Sequence, residues 1–258
     1  MKKLIQKLKK NYFLFEQLVK RDFQQKYKRT VLGMVWSVLN PLLTLLIMRL
    51  VFYHLFGKTM PHYTIYLFSG NIIMAYFREA TTNGMTSLLG NAQIIQKINV
   101  PKYLFIYSRI VSSFINFILT VGVYFIFCLI DHIEFGWHML VLIYPIIFLT
   151  LLCIGVGMIL SAFYIFFRDT AYLYNIFLTL LTYLSAVFYS IDSFPMNLQR
   201  LFLLNPIYVF ITYFRMVVIN GVIPSFLYHC LCAVYALFFF GIGCFMYKKY
   251  NHKFIYYL

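Results

Sequence analysis

Three ionisable residues interrupt stretches that are otherwise apolar: Arg49 within residues 33–56, and the adjacent Arg78 and Glu79 within residues 64–87. A charge at the centre of a bilayer costs about 2.5–3.5 kcal/mol on insertion scales, so such residues face a partner or a wet cavity. Lining a channel is one account of all three; for Arg49, snorkelling to an interface is another. Arg78 and Glu79 are neighbours in sequence and cannot face each other on a helix, so each needs its own partner.

Other chemistry is harder to place. Gly57-Lys58-Thr59 resembles the end of a phosphate loop, but Phe52 stands where that motif needs its first glycine, and a span rather than a strand precedes it. The six histidines (His54, His62, His132, His138, His229, His252) lack metal-site spacing, and no metal centre is expected. No Ser, His and acid set is convincing. The five cysteines (Cys128, Cys153, Cys230, Cys232, Cys244) all fall in apolar runs and read as packing residues. The chain is therefore expected to be no enzyme and to carry no cofactor, so ATP and Mg, if used, belong to a partner subunit.

A second set sits where a basic stretch meets the first apolar one. Phe15, Leu18, Val19, Phe23 and Tyr27 recur at helical spacing, with Lys20, Arg21, Gln24, Gln25 and Lys28 largely opposite. That is the pattern of a helix lying on a membrane surface. A soluble amphipathic helix shares it, and the apolar continuation after Gly33 favours the membrane. Lys26, Lys28 and Arg29 stand at the boundary where anionic headgroups would hold them, and Trp36 has an amphipathic ring suited to the interface. With Tyr27 they form a candidate lipid-headgroup gate; setting topology is the plainer account of the charges.

The elements that position these groups follow from composition. Of 258 residues 62% are hydrophobic and 11% charged, against ~25% charged in ordinary soluble domains. The chain is an all-α polytopic membrane protein. Its +15 formal charge invites a nucleic-acid reading until the basic residues are located: Lys2, Lys3, Lys7, Lys9, Lys10, Lys20, Arg21, Lys26, Lys28 and Arg29 make ten of the 22, all near the N-terminus. That is a topology signal, and no nucleic acid is expected. No cleaved signal peptide is visible, so the first span is expected to serve as its own insertion signal.

A bilayer core of ~30 Å needs about 20 apolar residues in a helix. Runs at 110–130, 135–167, 170–191 and 216–247 qualify outright, and the two interrupted stretches bring the expectation to six spans. Both termini then share a side, and the basic tail (Lys248, Lys249, Lys253) matches the basic head, placing both in the cytoplasm. The loop with Asp131 and Glu134 falls outside, while those with Lys97, Lys102 and Arg168 fall inside. Between 191 and 225, Pro195, Pro206 and Pro224 separate two short apolar pieces, expected to be half-helices dipping into the outer leaflet. No internal repeat appears, so residues 1–258 are expected to form one membrane domain: an interface segment (1–32), six spans (33–247) and a cytoplasmic tail (248–258).

Aromatics make up 21% of the chain. Phe52 and Tyr53 in the first span, and Tyr183, Phe188 and Tyr189 in the fifth, are packing or lipid-facing residues on one reading. On the other they form a sugar-stacking wall in a pore that passes a long glycan.

At this point the residues resemble the permease subunit of ATP-binding-cassette exporters for polysaccharides and polyol phosphates, which move O antigen, capsule-like glycans and teichoic acids. The resemblance is carried by Arg21-Asp22, Tyr27, Leu32-Gly33, Trp36, Asn40-Pro41, Phe56-Gly57, residues 66–70, the stretch from Asn91 to Lys97 ending at Pro101, Phe167-Arg168-Asp169 and Asn205-Pro206. It runs from about residue 21 to the C-terminus.

The resemblance implies a homodimer in the bacterial cytoplasmic membrane with two ATPase subunits docked below and a lipid-linked glycan as substrate. Residues 91–100 would be the coupling helix, with Asn91, Gln93, Ile94, Ile95, Lys97 and Pro101 as its contacts. Residues 13–29 would form the interface helix, and 197–204 and 207–219 would close the outer mouth. The first and fifth spans would line the path, with Phe52, Tyr53, Tyr183, Phe188, Tyr189, Arg49 and Arg78 along it. One departure bears on the mouth: Ser185-Ala186-Val187-Phe188-Tyr189 stands where the family often has a proline. A drug or lipid export permease of the same superfamily is one alternative. A membrane glycosyltransferase or ligase is another, for which Asp131, Glu134 and Asp192 are a thin supply of acids.

Overall fold

The computed structural model describes residues 2–28, 30–53, 61–97, 100–192, 194–251 and 253–257, and all regular structure among them is helical. Arg29, Phe56, the Gly57-Lys58-Thr59 run, His54 and His252 lie outside the described residues, and Tyr27 is described by its backbone only.

The chain opens with α1 (Lys2–Tyr27), then α2 (Trp36–Phe52) and α3 (Tyr63–Thr86). A six-residue helix, α4 (Ala92–Lys97), precedes α5 (Tyr103–Ile130), α6 (Ile143–Phe166) and α7 (Thr170–Leu184). Two short helices, α8 (Met196–Phe202) and α9 (Pro206–Val218), lead to α10 (Phe226–Tyr250) and α11 (Phe254–Tyr257).

Among the described residues, four helical stretches are long and apolar enough to cross a membrane: Gly33–Phe52, Tyr103–Ile130, Trp137–Phe166 and Phe226–Tyr250. The α3 helix has 24 residues, or about 36 Å of rise, but its many polar side chains keep it out of that set. At 15 residues α7 is short, about 22 Å. The α8–α9 pair is bent by 103°.

Helix ends depart from the apolar runs for local reasons. The α5 helix begins at Tyr103, well before the apolar run, because Lys102 and Arg109 are compatible with a helix although not with lipid. Residues 216–218 belong to α9 rather than to the last span, which starts at Phe226 behind Pro224. The α9 start is fully specified: Pro206 occupies the first turn, and Asn205 Oδ1 accepts from the backbone N–H of Ile207 (3.0 Å) and Tyr208 (3.4 Å).

The centre of the bundle is α3, whose residues Ile65, Leu67, Phe68 and Ala80 are fully buried against α5, α6 and α9. Tyr124 stands edge-on to Phe68 (5.5 Å) and tilted against Phe214 (5.6 Å). The tightest helix pair is α6 with α10, where backbones approach at Gly155: a Cβ there would lie 2.4 Å from the Phe240 nitrogen. Small residues at such crossings are how helices gain packing in lipid, where no hydrophobic force drives them together. Cys128, Cys153 and Cys232 are buried and all five cysteines are free, in keeping with packing roles.

Candidate functional site

The end of the bundle that carries α1 and α4 is held by one buried carboxylate. Asp22 is 4% exposed and accepts from Arg21 Nη2 (2.7 Å) and Ser108 Oγ (3.1 Å), with Arg109 Nε at 3.6 Å. Arg21 also donates to Asn91 Oδ1 (2.7 Å), and Asn91 donates to the Ser87 carbonyl (2.7 Å). Helix α1 is thereby fastened both to α5 and to the turn before α4. Such a charge is tolerable in the interior because every oxygen is matched.

Of the six residues assigned to coupling, Asn91 and Ile95 are buried, Ile94 and Pro101 half-buried, and Gln93 and Lys97 exposed. The α4 helix is thus rooted through Ile95 and presents Gln93 and Lys97 outward. Lys102 just beyond it donates to the Asn251 carbonyl, and burial lowers its ammonium below the usual lysine range.

The boundary set divides. Lys26 pairs with Glu79 at 2.9 Å, and Trp36 sits beside that pair on the wall of a cavity of about 460 Å³. Exposed Lys28 instead lines a separate basic recess with Lys20, Arg21 and Arg109. Glu79 Oε1 also accepts from Asn116 Nδ2 (3.1 Å), whereas Arg78 Nη2 turns to Thr182 Oγ1 on α7 (3.1 Å). The adjacent acid and base therefore do have separate partners, on different faces.

That cavity lies between α2, α3 and α5, and each helix turns a polar stripe into it. Ser37, Asn40 and Thr44 come from α2; Asn71 and Glu79 from α3; Ser113, Asn116 and Thr120 from α5. Spacings of three and four, or of eight for two turns, keep each set on one face. A second cavity of about 420 Å³ shares Lys26, Asn40 and Glu79 with the first and runs on to Asp22, Asn83 and Arg109. The Lys26–Glu79 pair thus stands where the two meet. The stripes were present in the sequence as single Asn, Ser and Thr residues inside apolar runs; a scan for Asp, Glu, Lys and Arg passes over them.

At the far end, α7 stops at Leu184 with no proline. Residues 185–191 leave the helix through Ala186 at φ +48°, a left-handed conformation that a residue with a side chain seldom adopts. Five of the freed carbonyls are claimed by side chains from other elements. Asn205 Nδ2 donates to Leu184 O (3.1 Å), Arg215 to Ala186 O (2.9 Å) and Val187 O (3.0 Å), Tyr63 to Phe188 O (2.9 Å) and Tyr66 to Tyr189 O (2.7 Å). Arg215 is 7% exposed and was not among the charges singled out from sequence, because it lies in the segment read as half-helices. Gly70 leaves room for it: a Cβ there would come within 2.8 Å of Arg215 Nη2.

The aromatic set gathers partly here. Phe52 stacks on Phe188 with ring centres 4.7 Å apart, and Tyr183 lies 6.0 Å from Phe188. The Tyr189 hydroxyl donates to Tyr183 O (2.9 Å), so these four form one cluster joining the ends of α2 and α7. Arg49 is exposed and lies over the Tyr53 ring (5.6 Å), apart from that cluster. No group of three or more metal-ligating side chains occurs among the described residues.

Comparison with known proteins identifies relatives of this chain. The chain is 29% identical over 217 residues to an O-antigen export system permease protein, RfbA, of Klebsiella pneumoniae, covering 81% of this chain and 82% of that one. It is 23% identical to a protein of the same description from Myxococcus xanthus, covering 86% of each. It is 21% identical to the capsule polysaccharide export inner-membrane protein CtrC of Neisseria meningitidis, covering 73% of this chain and 72% of the relative. The ABC-2 type transporter family matches residues 14–219, a span that takes in the second half of α1, the polar cavity, α4 and the unwound end of α7, and the chain belongs to that family.

Proposed function

We propose that this chain is the permease subunit of an ATP-driven exporter that passes a lipid-linked polysaccharide, such as O antigen or a capsule-like glycan, across the bacterial cytoplasmic membrane. The observation that carries the reading is the family match together with relatives described as O-antigen and capsule polysaccharide export proteins. The single domain has six spans: the four long apolar helices, α3, whose polar residues face other helices and a cavity, and α7, extended by the unwound 185–191. Both termini lie in the cytoplasm, where the basic head and tail meet anionic headgroups.

Two copies form the channel and two ATPase subunits, which hold ATP and Mg, dock beneath α4. Exposed Gln93 and Lys97 receive their push, and the Arg21–Asn91 hydrogen bond passes it to α1. The α8–α9 pair dips into the outer leaflet and closes the mouth, held by Arg215 and Asn205. Phe52, Tyr183, Phe188 and Tyr189 form an aromatic collar below it. Lys28 and Arg29 draw the lipid phosphate to the boundary.

Deleting the gene in its host tests this. Mass spectrometry with leaflet-selective labelling should find a lipid-linked glycan accumulating on the inner leaflet while surface polymer disappears. Unchanged surface polymer, or a product arrested outside the membrane, overturns the reading.

A further inference from the structure

The residues assigned to the path, Phe52, Tyr53, Tyr183, Phe188, Tyr189, Arg49 and Arg78, leave out the polar lining of the cavity between α2, α3 and α5, of which only Lys26 and Trp36 have been given a role, at the gate. Its chemistry is distinctive. From Glu79 to Asn71 is eight residues, about 12 Å along α3, so the polar lining climbs from the Lys26–Glu79 pair well into the apolar slab. Lipid offers no partner to an amide or hydroxyl, and burying one unsatisfied costs on the order of 1–3 kcal/mol. Several of these groups are already paired, Ser113 with Asn83, Asn116 with Glu79 and Thr120 with the Asn116 carbonyl, whereas the side chains of Asn40, Thr44 and Asn71 line the cavity and are left for an occupant that returns hydrogen bonds.

We propose that this cavity is a carbohydrate site, holding a neutral sugar ring of the lipid-linked substrate on its way into the bilayer; the assignment rests on the export function proposed above. Three features select a sugar over an anion or a lipid tail. Charge is balanced, one Lys26 against one Glu79, so no net positive field holds a phosphate. Asn40, Asn71 and Thr44 both donate and accept, as a ring bearing several hydroxyls requires. Trp36 supplies an aromatic face at the rim for the C–H side of the ring. About 460 Å³ corresponds to roughly 15 waters at ~30 Å³ each, room for one ring with its first linkage. The junction with the second cavity places the Lys26–Glu79 pair beneath the ring, where it acts as a threshold that parts as the sugar passes.

The chain's tryptophan content provides the test. There are two, Trp36 at the cavity and Trp137, which is 88% exposed elsewhere. In the full complex, reconstituted in nanodiscs with Trp137→Phe in this chain and every tryptophan of the ATPase subunits replaced by phenylalanine, Trp36 emission is titrated with octyl glucoside below its micellar concentration. Octyl phosphate, of the same chain length, is titrated in parallel. The expected result is a saturable change with the glucoside and none with the phosphate. Affinity should fall at least tenfold in an Asn71→Leu, Asn116→Leu variant. Thr44→Val, which is isosteric and leaves the Glu79 hydrogen bonds in place, should lower it severalfold, and decides the matter if the double variant does not assemble. Equal response to both heads means that only the alkyl chain binds and overturns the assignment, as does a phosphate-selective response, no saturable response, or a response indifferent to Thr44→Val. Gene deletion separates the two ideas. Surface polymer lost on deletion, with no head-selective binding here, sinks the cavity assignment alone; polymer unchanged on deletion sinks export and, with it, the substrate named for this cavity.

Discussion

The guanidinium carbon of Arg215 lies 3.4 Å from the centre of the Tyr66 ring, and the same guanidinium donates to the Tyr66 carbonyl at 3.1 Å. One side chain on α9 therefore holds α3 by both face and backbone while its Nη1 and the same Nη2 hold the unwound end of α7. The planar fork is what allows this; a lysine ammonium offers a single point. Arg215→Met should cost about 2–4 kcal/mol, since hydrogen bonds to a charged group are worth ~1.5–3 kcal/mol each and several acceptors are orphaned together. Thermal unfolding of the solubilised protein measures it. Arg215→Lys should recover less than half of the loss, and full recovery would mean that charge alone matters.

The Asp22 carboxylate should behave as a rivet for α1. Asp22→Asn leaves Arg21 and Arg109 facing a neutral group, and loss of one partner from a buried ionic cluster typically costs about 3–5 kcal/mol. The effect should be local: amide exchange across α1 should quicken while α6 and α10 stay protected. Uniform quickening would show that Asp22 supports the whole bundle instead.

Lys26 and Glu79 are each about a third exposed, at 40% and 31%. Their coupling in a double-mutant cycle with Lys26→Met and Glu79→Gln should therefore be modest, about 0.5–1 kcal/mol in stability. The charge-reversed pair, Lys26→Glu with Glu79→Lys, should restore stability to near wild type. Strict additivity of the two single variants would show that the pair contributes nothing.

Glycine substitutions should separate by site. Gly155→Ala drives a methyl against the α10 backbone, which cannot yield as a side chain can, and should cost about 1–3 kcal/mol. Gly122→Ala, with open space at that position, should be neutral or slightly stabilising through helix propensity. Unfolding midpoints of the two variants make the comparison; similar values would contradict the α6–α10 packing described here.

How much of this was legible beforehand depends on the range of the interaction. Apolar runs and proline breaks are local, so the runs at 110–130 and 135–167 fall on α5 and α6, though α5 starts earlier and α6 later than its run, and the two short pieces at 197–204 and 207–219 fall on the short helices α8 and α9. The amphipathic pattern that begins at Phe15 likewise identifies α1, though not its start at Lys2; Leu4, Ile5, Leu8 and Tyr12 continue the apolar spacing back among the lysines of the first turns. What a single chain read in order does not contain is who meets whom. Arg78 and Glu79 were marked as costly, but only packing sends one to Thr182 and the other to Lys26 and Asn116.

The far end makes the same point more strongly. A run of apolar residues to Ile191 reads as continuing helix, and nothing nearby ends it at Leu184; the break is stabilised by Arg215, Tyr63, Tyr66 and Asn205, which lie between 21 and 125 positions away from the carbonyls they hold. Membrane class, helix placement and the basic face were determined by the sequence itself, because hydropathy and helical period act over a turn or two. The fastening of α1 through Asp22, the meeting of three polar stripes in one cavity and the sealing of the α7 end were decided by tertiary structure. Each needs groups that only folding brings within hydrogen-bond distance.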